Sequence, residues 1–213
     1  MKLSAETLRL YAVTDRSWLN GRSIFEQVEE ALMGGVSLVQ LREKKIDEAA
    51  FLIEAIEMAK LCHRHNVPLL INDNVDIALK SGADGVHVGQ DDMEAAAVRR
   101  KLGKDMIIGV TAKTVEQALR AQDAGADYLG SGAVFGTTTK TNAKPMTTAL
   151  LTSITHSVSI PVVAIGGINR SNILHLKGTG ISGAAIVSGI FAAKDIETEC
   201  RLLRELVELI VQK

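Results

Sequence analysis

Short apolar runs alternate with longer amphipathic segments along most of the chain. The runs are rich in Val, Ile and Leu, which is typical of buried strands. The segments between them, such as 47–65, 115–124 and 197–212, carry apolar residues at three- and four-residue spacing, the pattern of a helix that buries one face. Strands that alternate with helices indicate βα units around a parallel sheet. We predict strands over 9–14, 37–42, 68–72, 85–88, 106–111, 128–130, 162–165 and 184–188.

The number of predicted strands favours closure of the sheet, because about eight parallel strands form a barrel. Glycine recurs between helix and strand, at 34–36, 81–86 and 124–128, as expected of a repeated unit in which each helix ends at a glycine. We therefore expect an α/β fold, a single (β/α)8 TIM barrel over residues 1–213. A doubly wound open sheet would produce a similar local pattern and is the alternative.

Composition narrows the classes of function. The chain has 213 residues and a net charge of -1, whereas nucleic-acid-binding domains usually carry a clustered basic excess, so we expect no nucleic-acid partner. The N-terminal segment has no apolar h-region and no apolar run is long enough to span a bilayer, so we expect a soluble, cytoplasmic protein without a membrane partner.

The chain has two cysteines, Cys62 and Cys200. Both fall in helical segments and are expected to be packed thiols.

A polar cluster follows the second predicted strand, at residues 40–44. Alternate residues of a strand share one face, so Gln40, Arg42 and Lys44 would project together. The ligands of α/β folds bind at the carboxyl ends of parallel strands. Two cations and an amide at such an end suit a polyanion.

Two aspartates come soon after the third and fourth predicted strands. Asp73 and Asp92 would lie on the same rim as Arg42 and Lys44. Carboxylates that face an anion site are the ligands needed for a Mg²⁺ ion that bridges to phosphate oxygens. The alternative is that each aspartate caps the helix that follows it.

The last third of the chain suggests a second anion site. A loop over 130–145 is long enough to be a binding segment or lid, and its alternative is an idle solvated loop. Gly166 and Gly167 follow the seventh strand, and 187–190 follows the eighth. Glycines at these two strand ends let backbone N–H groups approach a phosphate, as barrels often do there.

Several motifs in their order along the chain resemble those of thiamine phosphate synthases. They are QLREK (40–44), INDNVDIAL (71–79), ADGVHVGQDD (83–92), IPVVAIGGI (160–168) and IVSGIF (186–191), and the resemblance runs from about residue 10 to 191. It implies a TIM-barrel transferase of thiamine biosynthesis. Such enzymes join 4-amino-2-methyl-5-hydroxymethylpyrimidine diphosphate to 4-methyl-5-(2-phosphoethyl)thiazole and release pyrophosphate. Two small phosphorylated substrates match the two anion sites.

The resemblance also implies a role for each matching residue. The metal ligands would be Asp73 and Asp92, holding Mg²⁺, and Arg42, Lys44 and Lys140 would act on the leaving group. The pyrimidine diphosphate contacts would be Gln40, Leu41, Arg42, Glu43, Lys44, Asn72, Thr111 and Lys140. The thiazole phosphate contacts would be Thr137, Thr138, Thr139, Gly167, Val187 and Ser188.

Two positions depart from the family pattern, which usually has Ser where Thr111 stands and Pro where Gly136 stands. Threonine keeps the hydroxyl, whereas glycine should loosen the loop. The implied reaction is a dissociative substitution at the pyrimidine methylene. It needs no general base because the thiazole nitrogen attacks with its own lone pair, so we interpret His87 as a packed or supporting residue.

Two other functions stay open. A thiazole tautomerase shares this barrel and much of its glycine pattern, but an isomerase has no use for Gln40, Arg42, Lys44 and two magnesium aspartates together. A non-catalytic phosphate-binding barrel is the other alternative. The segment 197–213 fits either closure of the barrel or contact with a partner, so the sequence leaves a homo-oligomer open.

Overall fold

Eight parallel strands form a closed barrel in the computed structural model, which describes residues 3–90, 92–136 and 145–211. Each strand pairs with the next along the chain, and β8 pairs with β1 through Leu10 opposite Ala184. That last pairing excludes an open doubly wound sheet. The strands are β1 Leu10–Val13, β2 Leu38–Leu41, β3 Leu69–Asn72, β4 Gly85–Val88, β5 Ile107–Thr111, β6 Tyr128–Gly132, β7 Val162–Ile165 and β8 Gly183–Ile186.

Helices surround the barrel and connect its strands. In the seventh unit the described connection is a 3₁₀ turn, Ile173–Leu176, in place of a longer helix. Shorter 3₁₀ turns also occur at Glu6–Leu8 and Arg16–Trp18. The described α-helices are α1 Ile24–Met33, α2 Glu48–Arg64, α3 Val75–Ser81, α4 Ala95–Leu102, α5 Val115–Asp123, α6 Thr148–Ser157, α7 Ser188–Phe191 and α8 Ile196–Val211.

Local sequence signals account for many helix ends. Ser23 and Glu26 form a capping box at the start of α1, where each side chain accepts a hydrogen bond from the other residue's backbone N–H. Asp47 caps α2 by accepting a hydrogen bond from the backbone N–H of Ala50. Gly82 ends α3 in the left-handed region at φ 77°, which glycine adopts without steric cost.

The sequence patterns predicted the barrel and each strand correctly, with errors only at element ends. The predicted eighth strand, 184–188, runs too far, because Val187 leaves the extended conformation with ψ -88° and Ser188 begins α7. The sixth strand extends two residues beyond its predicted end, to Gly132. The helix predicted over 47–65 is α2 with Asp47 and His65 as its caps.

The core has two layers. Side chains that point into the barrel form one cluster, which includes Tyr11, Leu38 and Tyr128, and a larger cluster lies between the strands and the helices. Helix α8 buries Cys200, Leu203 and Val207 and contacts α1, β1 and β8. This helix therefore covers the seam between the first and last strands.

Both cysteines are buried and free, as expected. Burial raises the pKa of the Cys62 and Cys200 thiols to about 12, so both stay protonated and serve as packing groups. Within the described ranges, no helix combines the length and the apolar character that crossing a membrane requires.

We expect Gly109→Ala to destabilise the barrel. A Cβ atom at Gly109 would lie 2.2 Å from Cζ of Tyr128, which is fully buried. Displacing that ring should lower the free energy of unfolding by about 2 kcal/mol, as overpacking of a core does. Denaturant unfolding measures the loss.

Gly136→Ala is the matched control, since no atom of the described residues lies within 4 Å of its Cβ position. Its φ is outside the left-handed region, as is that of Gly109. Equal unfolding midpoints for the two variants would contradict this view of the barrel interior.

Candidate active site

Polar side chains collect at the carboxyl ends of the strands, as the sequence predicted. Asn72 and Thr111 are the last residues of β3 and β5. Arg42 and Lys44 lie in the loop after β2, and Asp92 lies in the loop after β4. Closure of the barrel puts all these positions on one rim.

The expected alternation of Gln40, Arg42 and Lys44 on one strand face is wrong, because β2 ends at Leu41. Gln40 belongs to the strand and is buried, with its amide Nε2 donating to the hydroxyl of Tyr11. Arg42 and Lys44 reach the rim from the loop instead. Leu41 is fully buried in the cluster under the helices, so only its backbone is left for a ligand contact.

Each of these rim cations has a carboxylate partner. Arg42 donates from Nη1 to Oδ2 of Asp15 at 2.9 Å, and Lys44 donates from Nζ to Oδ2 of Asp73 at 2.6 Å. The Nε atom of Arg42 is buried and has no acceptor among the described residues. The rim is therefore a set of ion pairs rather than a plain cationic patch.

A second charge cluster lies beside the first. Arg16 donates from Nε to Glu43 at 2.8 Å and from Nη2 to Glu54 on α2, so one guanidinium joins two carboxylates. Burial, followed by the charge of Glu43, raises the pKa of Glu54 to about 7, although Arg16 opposes the rise. The Glu43 side chain is only 2% exposed, and its ion pair with Arg16 compensates for this burial.

Asp73 and Asp92 lie within hydrogen-bonding reach of each other. Burial, and next the hydrogen bond with Asp73, raise the pKa of Asp92 above its ordinary value, whereas the backbone N–H of Gly89 opposes the rise. Neither aspartate caps a helix, since Asn74 caps α3 and Glu94 precedes α4. The capping alternative is therefore wrong for both.

These two carboxylates fit a magnesium ion. They bring hard oxygen ligands together, and Asp73 holds a left-handed φ of 62°, a conformation that is uncommon for a residue other than glycine. A cavity of ≈ 550 Å³ beside them is lined in part by Lys44, Asn72, Asp73 and Asp92. No cluster of three or more His, Cys, Asp or Glu ligands occurs in the described part of the chain. Mg²⁺ suits such a sparse site, because it usually keeps several waters and takes other oxygens from substrate phosphates.

The loops after β6, β7 and β8 meet backbone against backbone. A Cβ atom at Gly167 would lie 2.3 Å from the carbonyl oxygen of Gly136, and one at Gly189 would lie 2.5 Å from that of Ile168. Gly167 also has φ 69°, so glycine is required there for two reasons. The expected thiazole phosphate residues Gly167, Val187 and Ser188 thus belong to adjoining loops. The other expected residues of this part, Thr137, Thr138, Thr139 and Lys140, lie outside the described residues.

A buried polar chain runs beneath the rim. The hydroxyls of Tyr11 and Tyr128 are 2.9 Å apart, and Tyr128 lies 2.8 Å from Nδ1 of His87. Nε2 of His87 lies 3.0 Å from the hydroxyl of Thr111. His87 is therefore packed inside the barrel mouth, as interpreted from the sequence.

Comparisons with known proteins show the family to which the chain belongs. The family model described as thiamine monophosphate synthase matches residues 10–190. The chain belongs to this family. A thiamine-phosphate synthase from Ruminiclostridium cellulolyticum is 50% identical over 96% of both chains, and one from Clostridium acetobutylicum is 46% identical over 94% of this chain and 95% of the relative. The expectation of an enzyme, a transferase of the thiamine phosphate synthase family, is thereby confirmed.

Solved structures agree with the family. A thiamine phosphate pyrophosphorylase from Pyrococcus furiosus has a TM-score of 0.90 and 35% identity, with 98% of this chain and 99% of that chain covered. A 3-hexulose-6-phosphate synthase has a TM-score of 0.69 at 16% identity, covering 93% of this chain and 99% of its own, which shows the fold alone.

Five residues that contact the rim or lie beneath it were not predicted from the sequence, because few local features mark them. Asp15 and Arg16 follow the first predicted strand directly, so their position at a strand end was a usable signal. Glu54 lies within a helix, and Tyr11 and Tyr128 lie within strands, where nothing local marks a side chain as a neighbour of the rim.

We expect Glu54→Gln to stabilise the protein at high pH. The folded pKa of about 7 lies above the ordinary value of 4.5, so the free energy of unfolding should fall as pH rises from about 4.5 through 7. Gln keeps an acceptor for Arg16 but carries no charge. Unfolding at pH 8.5 should show a gain on the order of 1 kcal/mol, a value discounted for partial solvent screening, and at pH 4.5 no gain.

Glu57→Gln on the same helix is the control, since its side chain is 54% exposed and pairs only at the surface with Lys60. We expect it to leave the pH dependence of unfolding unchanged. A gain for Glu54→Gln that is the same at both pH values would show that charge is not its cause.

Proposed function

We propose that this chain joins 4-amino-2-methyl-5-hydroxymethylpyrimidine diphosphate to 4-methyl-5-(2-phosphoethyl)thiazole, giving thiamine phosphate and pyrophosphate in a Mg²⁺-dependent reaction. The observation that carries the proposal is the 50% identity to a thiamine-phosphate synthase over 96% of both chains. The geometry of the rim supports it, because charged groups suited to a diphosphate lie beside a pair of carboxylates suited to Mg²⁺.

In this proposal the pyrimidine diphosphate lies over β2, β3 and β5. Gln40, Asn72 and Thr111 contact it from the strand ends, and Glu43 and the backbone of Leu41 border it. Arg42 and Lys44 neutralise the diphosphate, together with Lys140, which lies outside the described residues. The buried Nε of Arg42, which has no acceptor among the described residues, supports an anion at this place.

Asp73 and Asp92 would hold Mg²⁺, which supplies positive charge beside the leaving diphosphate. The same Asp73 carboxylate also accepts the hydrogen bond of Lys44. Lys44 and the two carboxylates that would hold the metal therefore line the same cavity.

The thiazole phosphate would lie against the loops after β6, β7 and β8. Backbone groups of Gly167, Val187 and Ser188 would contact its phosphate, with Thr137, Thr138 and Thr139 from the loop outside the described residues. The close packing of Gly136 on Gly167 supports this, because only glycine allows the loops to approach so closely.

The chemistry is a dissociative substitution at the pyrimidine methylene. The C–O bond to the diphosphate breaks with its electron pair, and the ring stabilises the cation that remains. The thiazole nitrogen then forms the new C–N bond with its lone pair. Arg42, Lys44 and Lys140 are catalytic in this scheme because they stabilise the charge that develops on the leaving group.

The decisive experiment mixes both substrates with Mg²⁺ and measures thiamine phosphate and pyrophosphate. We expect equimolar formation of the two products and loss of both when EDTA removes the metal. Thiazole phosphate isomerisation without pyrophosphate release would instead establish the tautomerase alternative. Binding of thiazole phosphate without any reaction would establish a non-catalytic barrel.

We expect Lys44→Gln to lower the turnover rate about a hundredfold, because one donor that stabilises developing charge is worth that much. The same assay measures it. Lys60→Gln is the control, since Lys60 is an exposed lysine of α2 that pairs with Glu57. If turnover of Lys44→Gln stays within twofold of wild type while the control is normal, Lys44 does not act on the leaving group.

A further inference from the structure

The buried polar chain links two residues that lie on different strands of the rim. It begins at Gln40 on β2 and passes through Tyr11 on β1 and Tyr128 on β6. It then reaches Thr111 on β5 through the two ring nitrogens of His87 on β4. Its two ends are residues that the proposed function assigns to the pyrimidine substrate, and its middle has no role in that scheme.

The middle of the chain is sealed from water and keeps its protons. Tyr11 is 1% exposed and Tyr128 is fully buried. Gly109 and Gly130 make room for this packing, since a Cβ atom at Gly130 would lie 2.9 Å from Cε1 of His87. Burial raises the pKa of both phenols, so each keeps one proton and can donate one hydrogen bond.

Proton counting gives the chain a direction. The Nε2 amide of Gln40 donates to Tyr11, so the proton of Tyr11 must go to the oxygen of Tyr128 to be satisfied. The proton of Tyr128 then goes to Nδ1 of His87. A neutral His87 consequently carries its proton on Nε2 and donates it to the hydroxyl oxygen of Thr111.

This direction decides what the two ends offer. The amide nitrogen of Gln40 donates its hydrogen bond to Tyr11 inside the barrel, which leaves the carbonyl Oε1 as an acceptor for a ligand. Thr111 accepts from His87, which leaves its hydroxyl proton for donation. Turning the Gln40 amide over would reverse every link, because each phenol has only one proton. The hydrogen-bonding roles of Gln40 and Thr111 are therefore coupled through the barrel.

We propose that Tyr11, Tyr128 and His87 are positioning residues that hold Gln40 as an acceptor and Thr111 as a donor for the aminopyrimidine substrate. The aminopyrimidine diphosphate has the matching groups, since its amino group donates a hydrogen bond to an acceptor and its ring nitrogens and diphosphate oxygens accept from a donor. The inference rests on the proposed function for the identity of the substrate. The direction of the hydrogen bonds rests on the orientation of the Gln40 amide and on the single proton of each buried phenol.

The test combines histidine NMR with kinetics. The wild-type protein is labelled with ¹⁵N-histidine, and the His87 signals are assigned by comparison with His87→Gln. At a pH where the ring is neutral, we expect His87 to be protonated at Nε2 and unprotonated at Nδ1. In Tyr128→Phe we expect a mixed tautomer at His87.

Kinetics of the same Tyr128→Phe variant give the second readout. Its KM for the pyrimidine diphosphate should rise about tenfold, the effect of one lost hydrogen bond, while its KM for the thiazole phosphate stays within twofold of wild type. Tyr11→Phe should raise the same KM.

Ser131→Ala is the matched control. Ser131 lies on β6 like Tyr128, and its fully buried hydroxyl has no partner among the described residues, so its loss leaves the chain intact. We expect both KM values and the His87 signals of this variant to be those of wild type.

Two results would overturn the proposal. One is a wild-type His87 that carries its proton on Nδ1, which is measurable even if the tyrosine variants fail to fold. The other is an equal rise of both KM values in Tyr128→Phe. A wild-type protein that forms no thiamine phosphate would refute the proposed function instead, and the His87 tautomer would still decide the direction of the chain.

Discussion

Closure of the eight parallel strands is the constraint on which the other features depend. Each strand is parallel to its neighbours, and the pairing of β8 with β1 closes the ring. The carboxyl ends of all eight strands therefore share one rim. Loops that are distant in sequence must then approach one another. The ion pair between Asp15 after β1 and Arg42 after β2, and that between Lys44 and Asp73 after β3, exist only because neighbouring strands end side by side.

The cations of the rim that results are paired with carboxylates. Arg42 and Lys44 each hold a carboxylate, and Arg16 holds Glu43 and Glu54. Such pairs keep the cations oriented in a partly shielded environment, which is the preorganisation that stabilisation of an anion requires. Carboxylates therefore have two uses at this rim. Asp15 and Glu43 pair with arginines, whereas Asp73 pairs with Lys44 and also lies beside Asp92 in the pair that would suit a metal.

The barrel interior adds a second kind of order. Inward-pointing side chains fill its cross-section, and Tyr128 fits there because the neighbouring strand carries Gly109. Buried phenols must find hydrogen-bond partners, because an unpaired polar group in such surroundings is costly. The requirement to satisfy Tyr11 and Tyr128 draws His87 into the packing and so connects the interior to Thr111 at the rim.

Hydrophobic periodicity and motifs are properties of neighbouring residues, and they were enough to predict the eight strands, the helices between them and the family. They favoured a closed barrel but did not exclude an open doubly wound sheet, because closure depends on the pairing of β8 with β1, which lie far apart in sequence. The sequence also predicted that Asp73 and Asp92 share a rim with Arg42 and Lys44. Only the tertiary structure decided which groups pair. The hydroxyls of Tyr11 and Tyr128, 117 residues apart, meet because strand register and inward packing bring them together, and no local pattern encodes that meeting.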